Sequence, residues 1–113
     1  MSARAQVQLW AAQRISAAVL ALCVTVHLAT MIYAVRHGLS ATAILDRTRG
    51  NWGWAGFYVL FVLAVSVHAP IGMRTICGEW LGLNSRAVDV VLAAMGIALA
   101  AVGLRAVWAV FAS

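Results

Sequence analysis

Three long apolar runs, separated by short polar segments, dominate the pattern of the chain. They cover residues 15–35, about 54–76 and 87–111, and the first contains no Asp, Glu, Lys or Arg. At a rise of about 1.5 Å per residue, each run makes a helix of roughly 30 Å or more, which is the thickness of a hydrocarbon core. The pattern therefore predicts an all-α chain with three membrane-spanning helices over these ranges.

The polar segments predict how the helices begin and end. Residues 1–13 are expected to form a short amphipathic lead-in, and residues 38–53 a turn-rich loop. Residues 78–85 are expected to form a short turn, with Ser85 as the N-cap of the third helix and Asp89 in its first turn.

Two features inside the helices predict how they pack. Pro70 has no backbone N–H and leaves the carbonyl of Ser66 unpaired, so the second helix is expected to kink there. Gly96, Ala100 and Gly103 form a stripe of small residues on the third helix. Such stripes allow membrane helices to approach closely, so this face is expected to contact another helix.

Composition supports a membrane protein with one domain over residues 1–113. The apolar fraction is 65% and the mean hydropathy is +0.95, and a soluble domain of this size has no interior that could hide so much apolar surface. All 8 basic residues are arginines, and 3 acidic residues reduce the net charge to +5. The arginines lie mostly between the apolar runs and are expected to face lipid headgroups or an acidic partner. No basic run interleaved with exposed aromatic residues indicates nucleic-acid binding.

The arginines also bear on orientation. With three helices, residues near the N-terminus and near the second turn lie on one side of the membrane. This side carries Arg4, Arg14, Arg74 and Arg86, against Arg36, Arg47 and Arg49 on the other. The count favours a cytoplasmic N-terminus, and the inner membrane of a bacterium is the expected location.

Two histidines, His27 and His68, lie within predicted spanning helices. A membrane histidine is costly to bury and has three interpretations: a hydrogen bond to a neighbouring helix, a step in a proton relay, or an axial ligand of a b-type haem. A relay normally includes intramembrane acids, and the apolar runs contain none at mid-depth. The pair of histidines therefore favours haem. No C-x-x-C or C-x-x-C-H motif indicates zinc, an iron–sulfur cluster or a covalently attached haem.

Helical spacing predicts a second polar site near one membrane surface. Ser16 and His27 are eleven residues apart, as are His68 and Glu79, so each pair shares one helix face over about 16 Å. Gly72, one turn after His68, leaves no side chain of the same helix beside the imidazole. A flat ligand is expected against that face, with a small polar headgroup bound below it where Arg14, Ser16, Glu79 and Trp80 converge.

Two motifs resemble the membrane anchor subunits of succinate dehydrogenase and fumarate reductase. The segment His68-Ala-Pro-Ile-Gly-Met-Arg, followed after four residues by Glu79-Trp80, is similar to their pattern H-x-x-x-G-[MI]-[RW]-x4-D-[YF]. Gln13-Arg14-Ile15-Ser16 resembles their H-R-x-[ST]-G. The chain has Gln13 in place of His, and Glu and Trp in place of Asp and Tyr or Phe. The resemblance covers about residues 10–110.

The resemblance implies a role for each matched residue. His68 corresponds to an axial ligand of haem b, and Arg14, Ser16, Glu79 and Trp80 correspond to the quinone site. His27 implies a second haem, in which case the chain resembles half of a diheme bundle, the other half coming from a second anchor subunit. With a single haem, His68 is the ligand and His27 is structural. An iron–sulfur subunit, a flavoprotein subunit and the lipid bilayer are the other implied partners.

Three other functions remain open at this level. The chain could be the b-type cytochrome anchor of another dehydrogenase, a small transporter without haem built on the Gly and Ala stripe, or a structural anchor without a cofactor. The chain alone is not expected to catalyse succinate oxidation, because it has no flavin motif and no cluster cysteines.

Overall fold

The computed structural model describes residues 1–113 and contains four α-helices and no strand. They are α1 (Ala3–His37), α2 (Ala41–Thr48), α3 (Trp52–Leu81) and α4 (Arg86–Ala112). Helices α1, α3 and α4 are long and apolar enough to cross a membrane, which confirms the predicted three-helix membrane fold.

Each helix begins at a short polar residue whose side chain accepts a hydrogen bond from a first-turn amide. The four N-caps are Ser2, Ser40, Asn51 and Ser85. Such caps satisfy one of the backbone donors that an α-helix leaves free at its start. The predicted cap at Ser85 is therefore confirmed. The caps at Ser2 and Asn51 mark the starts of α1 and α3, which precede their apolar runs.

Three predicted boundaries were wrong. The lead-in over residues 1–13 is not a separate segment, since α1 is continuous from Ala3. The segment 38–53 is not only a loop, because it contains α2. Residues 78–81 belong to α3, which ends where Gly82 adopts a left-handed conformation with φ of +67°. Gly78 lies inside α3 and does not end it. Gly82 ends the helix because its φ is positive.

Helix α3 lies between the other two long helices. It contacts both α1 and α4, whereas the backbones of α1 and α4 do not come within 8 Å of each other. Only 8 of 113 residues are buried, so most apolar side chains face outward. In a membrane this outer surface is in contact with lipid tails or with other helices.

Helices α3 and α4 approach most closely at the small-residue stripe. A Cβ atom on Gly96 would lie 2.9 Å from the Ser66 carbonyl oxygen and 2.9 Å from the Pro70 ring. One on Gly103 would lie 2.5 Å from Val62. The predicted contact is thus confirmed, and its partner is the proline-containing face of α3. Helix α3 runs through Pro70 without interruption.

The short helix α2 closes the C-terminal end of α4. The single hydrogen of the buried Thr48 hydroxyl is shared between the carbonyls of Ile44 (3.1 Å) and Val110 (3.0 Å), and the Gly50 N–H donates to the Phe111 carbonyl at 2.9 Å. The last carbonyls of a helix have no partner within it, so these bonds stabilise the end of α4.

We expect Thr48→Val to destabilise the protein by about 1–2 kcal/mol, because the substitution keeps the volume and removes the hydroxyl that the Val110 carbonyl depends on. Thermal unfolding in detergent measures the effect. The control is Thr42→Val, at an exposed position of the same helix. Equal stability of the two variants would contradict the capping role.

Candidate functional site

Helices α1 and α3 meet along a regular seam. Seven of the buried and half-buried residues of α1 recur at alternating intervals of three and four, the repeat of helices that pack side by side. They are Gln13, Ser16, Leu20, Cys23, His27, Thr30 and Ala34. The seam thus contains both His27 and Ser16 of the predicted site, together with Gln13, which begins the first motif.

The imidazole of His68 faces this seam from α3. Its Nδ1 lies 3.5 Å from the hydroxyl of Ser16, which is 5% exposed. That hydroxyl also donates to the Gln13 carbonyl at 3.1 Å. A serine hydroxyl has one hydrogen, so while it is donated to Gln13 the oxygen can only accept from a protonated Nδ1 of His68. This tautomer leaves the lone pair of His68 on Nε2, the form of imidazole that binds a metal.

His27 has a different environment. Its ring meets the rings of Tyr58 and Phe61 edge to face, with centroids 6.2 and 5.7 Å away. Its Nδ1 is buried and has no hydrogen-bond partner. The ring lines an apolar groove of about 400 Å³ that continues over α3 and α4 as far as Gly103. The chain thus leaves a polar atom unsatisfied at a place where an apolar ligand or helix would fit.

The two histidines lie at different depths in the membrane. His68 is level with Ser16, whereas His27 follows Ser16 by eleven residues, or about 16 Å along α1. On α3, His27 contacts Phe61, seven residues or about 10 Å from His68. The nitrogens of two axial ligands on one iron are only about 4 Å apart, since each iron–nitrogen bond is roughly 2 Å. The two histidines therefore cannot bind the same metal ion.

The face beside His68 that Gly72 leaves open is occupied by α1. It is clear of side chains from α3 itself, as predicted, but a Cβ atom on Gly72 would lie 3.2 Å from the Gln13 Nε2. The expectation of a bare surface there was wrong. The amide of Gln13 fits into the space that a larger residue at position 72 would fill.

The side chain of Gln13 also lines a pocket of about 290 Å³ between the beginning of α1 and the end of α3. Two arginines border this pocket: Arg14, which lies over the Trp10 ring at 5.2 Å, and Arg74, which forms a 2.8 Å ion pair with Asp89 of α4. The pocket is completed by Met1, Gln6, Leu9, Ile71 and Thr75. It therefore has a guanidinium on two sides, that of Arg74 paired with a carboxylate, and a mixed polar and apolar lining between them.

Not all predicted site residues meet at this pocket. Arg14 lines it, and the hydroxyl of Ser16 lies just behind it, bonded to the Gln13 carbonyl. Glu79 and Trp80 do not line it. They lie in the last turns of α3 and are exposed, with Trp80 at 81%. Within this chain they face outward from the bundle.

Arg14 is the one pocket residue that was predicted as a site residue; Gln13 and Arg74 are the most notable of those that were not. The signal for Gln13 was present, because it is three residues before Ser16 and so lies on the same helix face. The ion pair between Arg74 and Asp89 had no signal in the sequence, because it joins two helices whose relative rotation depends on packing.

Comparison with curated proteins and with solved structures gives no significant match. Residues 1–109 match the family model described as "Succinate dehydrogenase/Fumarate reductase transmembrane subunit". The match spans all three membrane helices and both motifs of the seam. The chain therefore belongs to the family of succinate dehydrogenase and fumarate reductase transmembrane subunits.

Proposed function

We propose that this chain is a haem b-binding anchor subunit that contributes to the quinone site of a succinate:quinone oxidoreductase, working as succinate dehydrogenase or fumarate reductase. The observation that carries the proposal is the contact between Ser16 and His68. With the Ser16 hydrogen donated to the Gln13 carbonyl, this contact leaves the Nε2 lone pair of an imidazole in a membrane helix available to a metal.

The residues around His68 fit an axial ligand of haem b. The Nδ1–H group donates to Ser16, which orients the ring and raises the basicity of Nε2, as outer hydrogen bonds do for histidine ligands generally. The chain has no cluster of three or more His, Cys, Asp and Glu side chains, so a bare metal ion is a poorer fit than haem. Haem b would supply one-electron transfer between the iron–sulfur clusters and the quinone.

The position of His27 supports a second haem. Because His27 and His68 cannot share an iron, each would need its own haem and a second axial ligand from another helix set. The unpaired Nδ1 of His27 is consistent with a site that a second anchor subunit completes. If the complex has one haem, His68 is its ligand and His27 is structural.

The quinone is expected near the N-terminal side, where Arg14 presents its guanidinium beside the pocket. Arg14 donates hydrogen bonds to a quinone oxygen, and Ser16 supports the site from behind. Glu79 and Trp80 would contribute from the outer edge, against a quinone shared with a partner subunit. The Trp80 indole N–H can donate a hydrogen bond but, unlike a tyrosine hydroxyl, does not exchange a proton during reduction.

The remaining redox centres belong to other chains. This chain has only Cys23 and Cys77, both free, and iron–sulfur clusters need four cysteine or histidine ligands. A flavoprotein subunit and an iron–sulfur subunit are therefore required, docked on a cytoplasmic face that includes the N-terminus. The exposed apolar sides of the bundle are suited to a second anchor subunit and to the inner-membrane lipid of a bacterium. A b-type anchor of another dehydrogenase is the alternative.

Purification of the complex from membranes tests the proposal. We expect flavin- and iron–sulfur-containing subunits to copurify with the chain, and a reduced-minus-oxidised spectrum to contain the absorption of b-type haem. Absence of that absorption from an active complex would contradict haem binding. Copurification with a different dehydrogenase would favour the alternative.

The Ser16 hydroxyl provides a sharper test. We expect Ser16→Ala to lower haem affinity about 10- to 100-fold without abolishing binding, because the variant keeps the ligand and loses the hydrogen bond that orients it. Haem content per complex, titrated with added haem, measures the effect. The control is Thr25→Ala, which removes an exposed hydroxyl from the same helix. Unchanged haem affinity in Ser16→Ala would show that Ser16 does not orient the ligand.

A further inference from the structure

The amide of Gln13 is the one buried polar group of the pocket that has an unsatisfied atom. Its Oε1 is buried without a hydrogen-bond partner, while its Nε2 is directed toward the backbone of α3 at Gly72. An unpaired buried amide oxygen costs about 1–3 kcal/mol. A group with this cost is expected to have a partner in the working complex, and Gln13 lines the pocket in which a ligand would bind.

The other polar groups of the pocket are donors only or belong to exposed side chains. Arginine side chains have no acceptor, so Arg14 and Arg74 can only donate. The Thr75 hydroxyl is bonded to the Ile71 carbonyl at 3.2 Å, and the Gln6 amide donates to the Met1 carbonyl at 3.4 Å. The Oε1 of Gln13 is therefore the free, buried acceptor in this pocket.

The oxidised and reduced forms of a quinone need different hydrogen-bonding groups from such a pocket. The oxidised ring has two carbonyl oxygens, which only accept hydrogen bonds. Uptake of two electrons and two protons converts both into hydroxyl groups, which also donate. Donors such as Arg14 serve both forms, whereas a lone acceptor serves only the reduced form.

We propose that Gln13 is a quinone-binding residue that selectively stabilises the hydroquinone, accepting a hydrogen bond from its hydroxyl through Oε1. The inference rests on the proposed quinone function of the pocket and adds a residue and a redox preference to it. Gly72 has a part in this arrangement, because any side chain at position 72 would displace the Gln13 amide.

The test compares inhibition by product with use of substrate. In purified complex, succinate-dependent reduction of decylubiquinone is measured with increasing decylubiquinol. For Gln13→Met, which keeps the volume of the side chain and removes the amide, we expect the inhibition constant of the quinol to rise about three- to tenfold. The KM for the quinone is expected to change less than about twofold, since its donors remain.

Two further variants keep the result decisive. Gln8→Met makes the same change at an exposed position of α1 and is expected to leave both constants unchanged. Gln13→Glu retains an acceptor and is expected to keep the quinol constant within about threefold of wild type. If Gln13→Met assembles poorly, Gln13→Glu still tests the inference, because loss of quinol binding in a variant with a carboxylate acceptor would overturn it.

The outcomes separate this inference from the proposed function. An unchanged quinol constant in Gln13→Met, or equal changes in both constants, would overturn the role of Gln13. Arg14→Gln is measured in parallel as the test of the quinone site itself. If Arg14→Gln raises the quinone KM and Gln13→Met leaves the quinol inhibition constant unchanged, only the role of Gln13 is contradicted. If Arg14→Gln has no effect on the quinone KM, the quinone site is contradicted, and the role of Gln13 with it.

Discussion

We expect the His68→Ala complex to retain less than about a tenth of the haem that His68 would bind. Loss of an outer hydrogen bond to a metal ligand already costs about 10- to 100-fold in affinity, and loss of the ligand itself costs more. Electron transfer that depends on this haem is expected to fall with it. The measurement is the reduced-minus-oxidised spectrum per flavin in the purified complex, together with succinate-dependent quinone reduction.

The companion variant His27→Ala decides the number of haems. Because the two histidines lie at different depths, we expect each substitution to remove a separate haem in a diheme complex, so that the double variant has none. In a complex with one haem, His27→Ala keeps it and His68→Ala loses it. Normal haem content in His68→Ala, in a complex with normal flavin content, would contradict the assignment of His68.

The second large effect is expected at the contact between α3 and α4. For Gly96→Ala we expect a loss of about 1–3 kcal/mol in stability, because the added methyl would meet the Ser66 carbonyl at 2.9 Å and the rigid Pro70 ring. Neither a backbone oxygen nor a proline ring can move aside, so the helices must separate. In membranes, where close packing holds helices together, that separation removes a main source of stability. Thermal unfolding in detergent and the yield of assembled complex measure it.

Two comparisons make the packing interpretation specific. Gly56→Ala is the control, since a Cβ atom there would meet nothing within 4 Å, and its stability is expected to equal or exceed that of wild type because alanine favours a helix interior more than glycine does. Gly103→Ala is expected to be destabilising through Val62, and the added change Val62→Ala should restore much of the loss by removing the opposing side chain. Equal stability of Gly96→Ala and Gly56→Ala would contradict a tight contact at Gly96.

The architecture could be predicted from the chain because the physics behind it is local. A bilayer requires apolar runs of a certain length, so the three spanning helices follow from composition alone. The N-cap at Ser85 could be predicted for the same reason, since a serine acts on amides within its own first turn. The helix boundaries were predicted less well, because they depend on tertiary contacts. The polar residues of α2 form a helix whose C-terminal end packs against α4.

The candidate site could be predicted only in part. His68, His27 and Arg14 could be proposed as site residues because a buried imidazole and a helix-end arginine are unusual enough to be noticed singly. Gln13 was not proposed, because a glutamine near a helix start is ordinary until its oxygen is found buried without a partner. The proposed convergence of Glu79 with Arg14 relied on one helix face, whereas in this chain the carboxylate lies outside the pocket.

The sequence by itself determined that this chain crosses a membrane three times, that two histidines lie inside it, and that its motifs are those of a known anchor family. These properties depend on hydropathy, spacing and residue identity, which are local properties of the amino-acid sequence. Tertiary structure decided that the Ser16 hydroxyl lies beside Nδ1 of His68, that Gln13 fills the space at Gly72, and that the two histidines lie too far apart to share an iron. Those properties depend on the register and rotation of α1 against α3, which arise only when the helices pack.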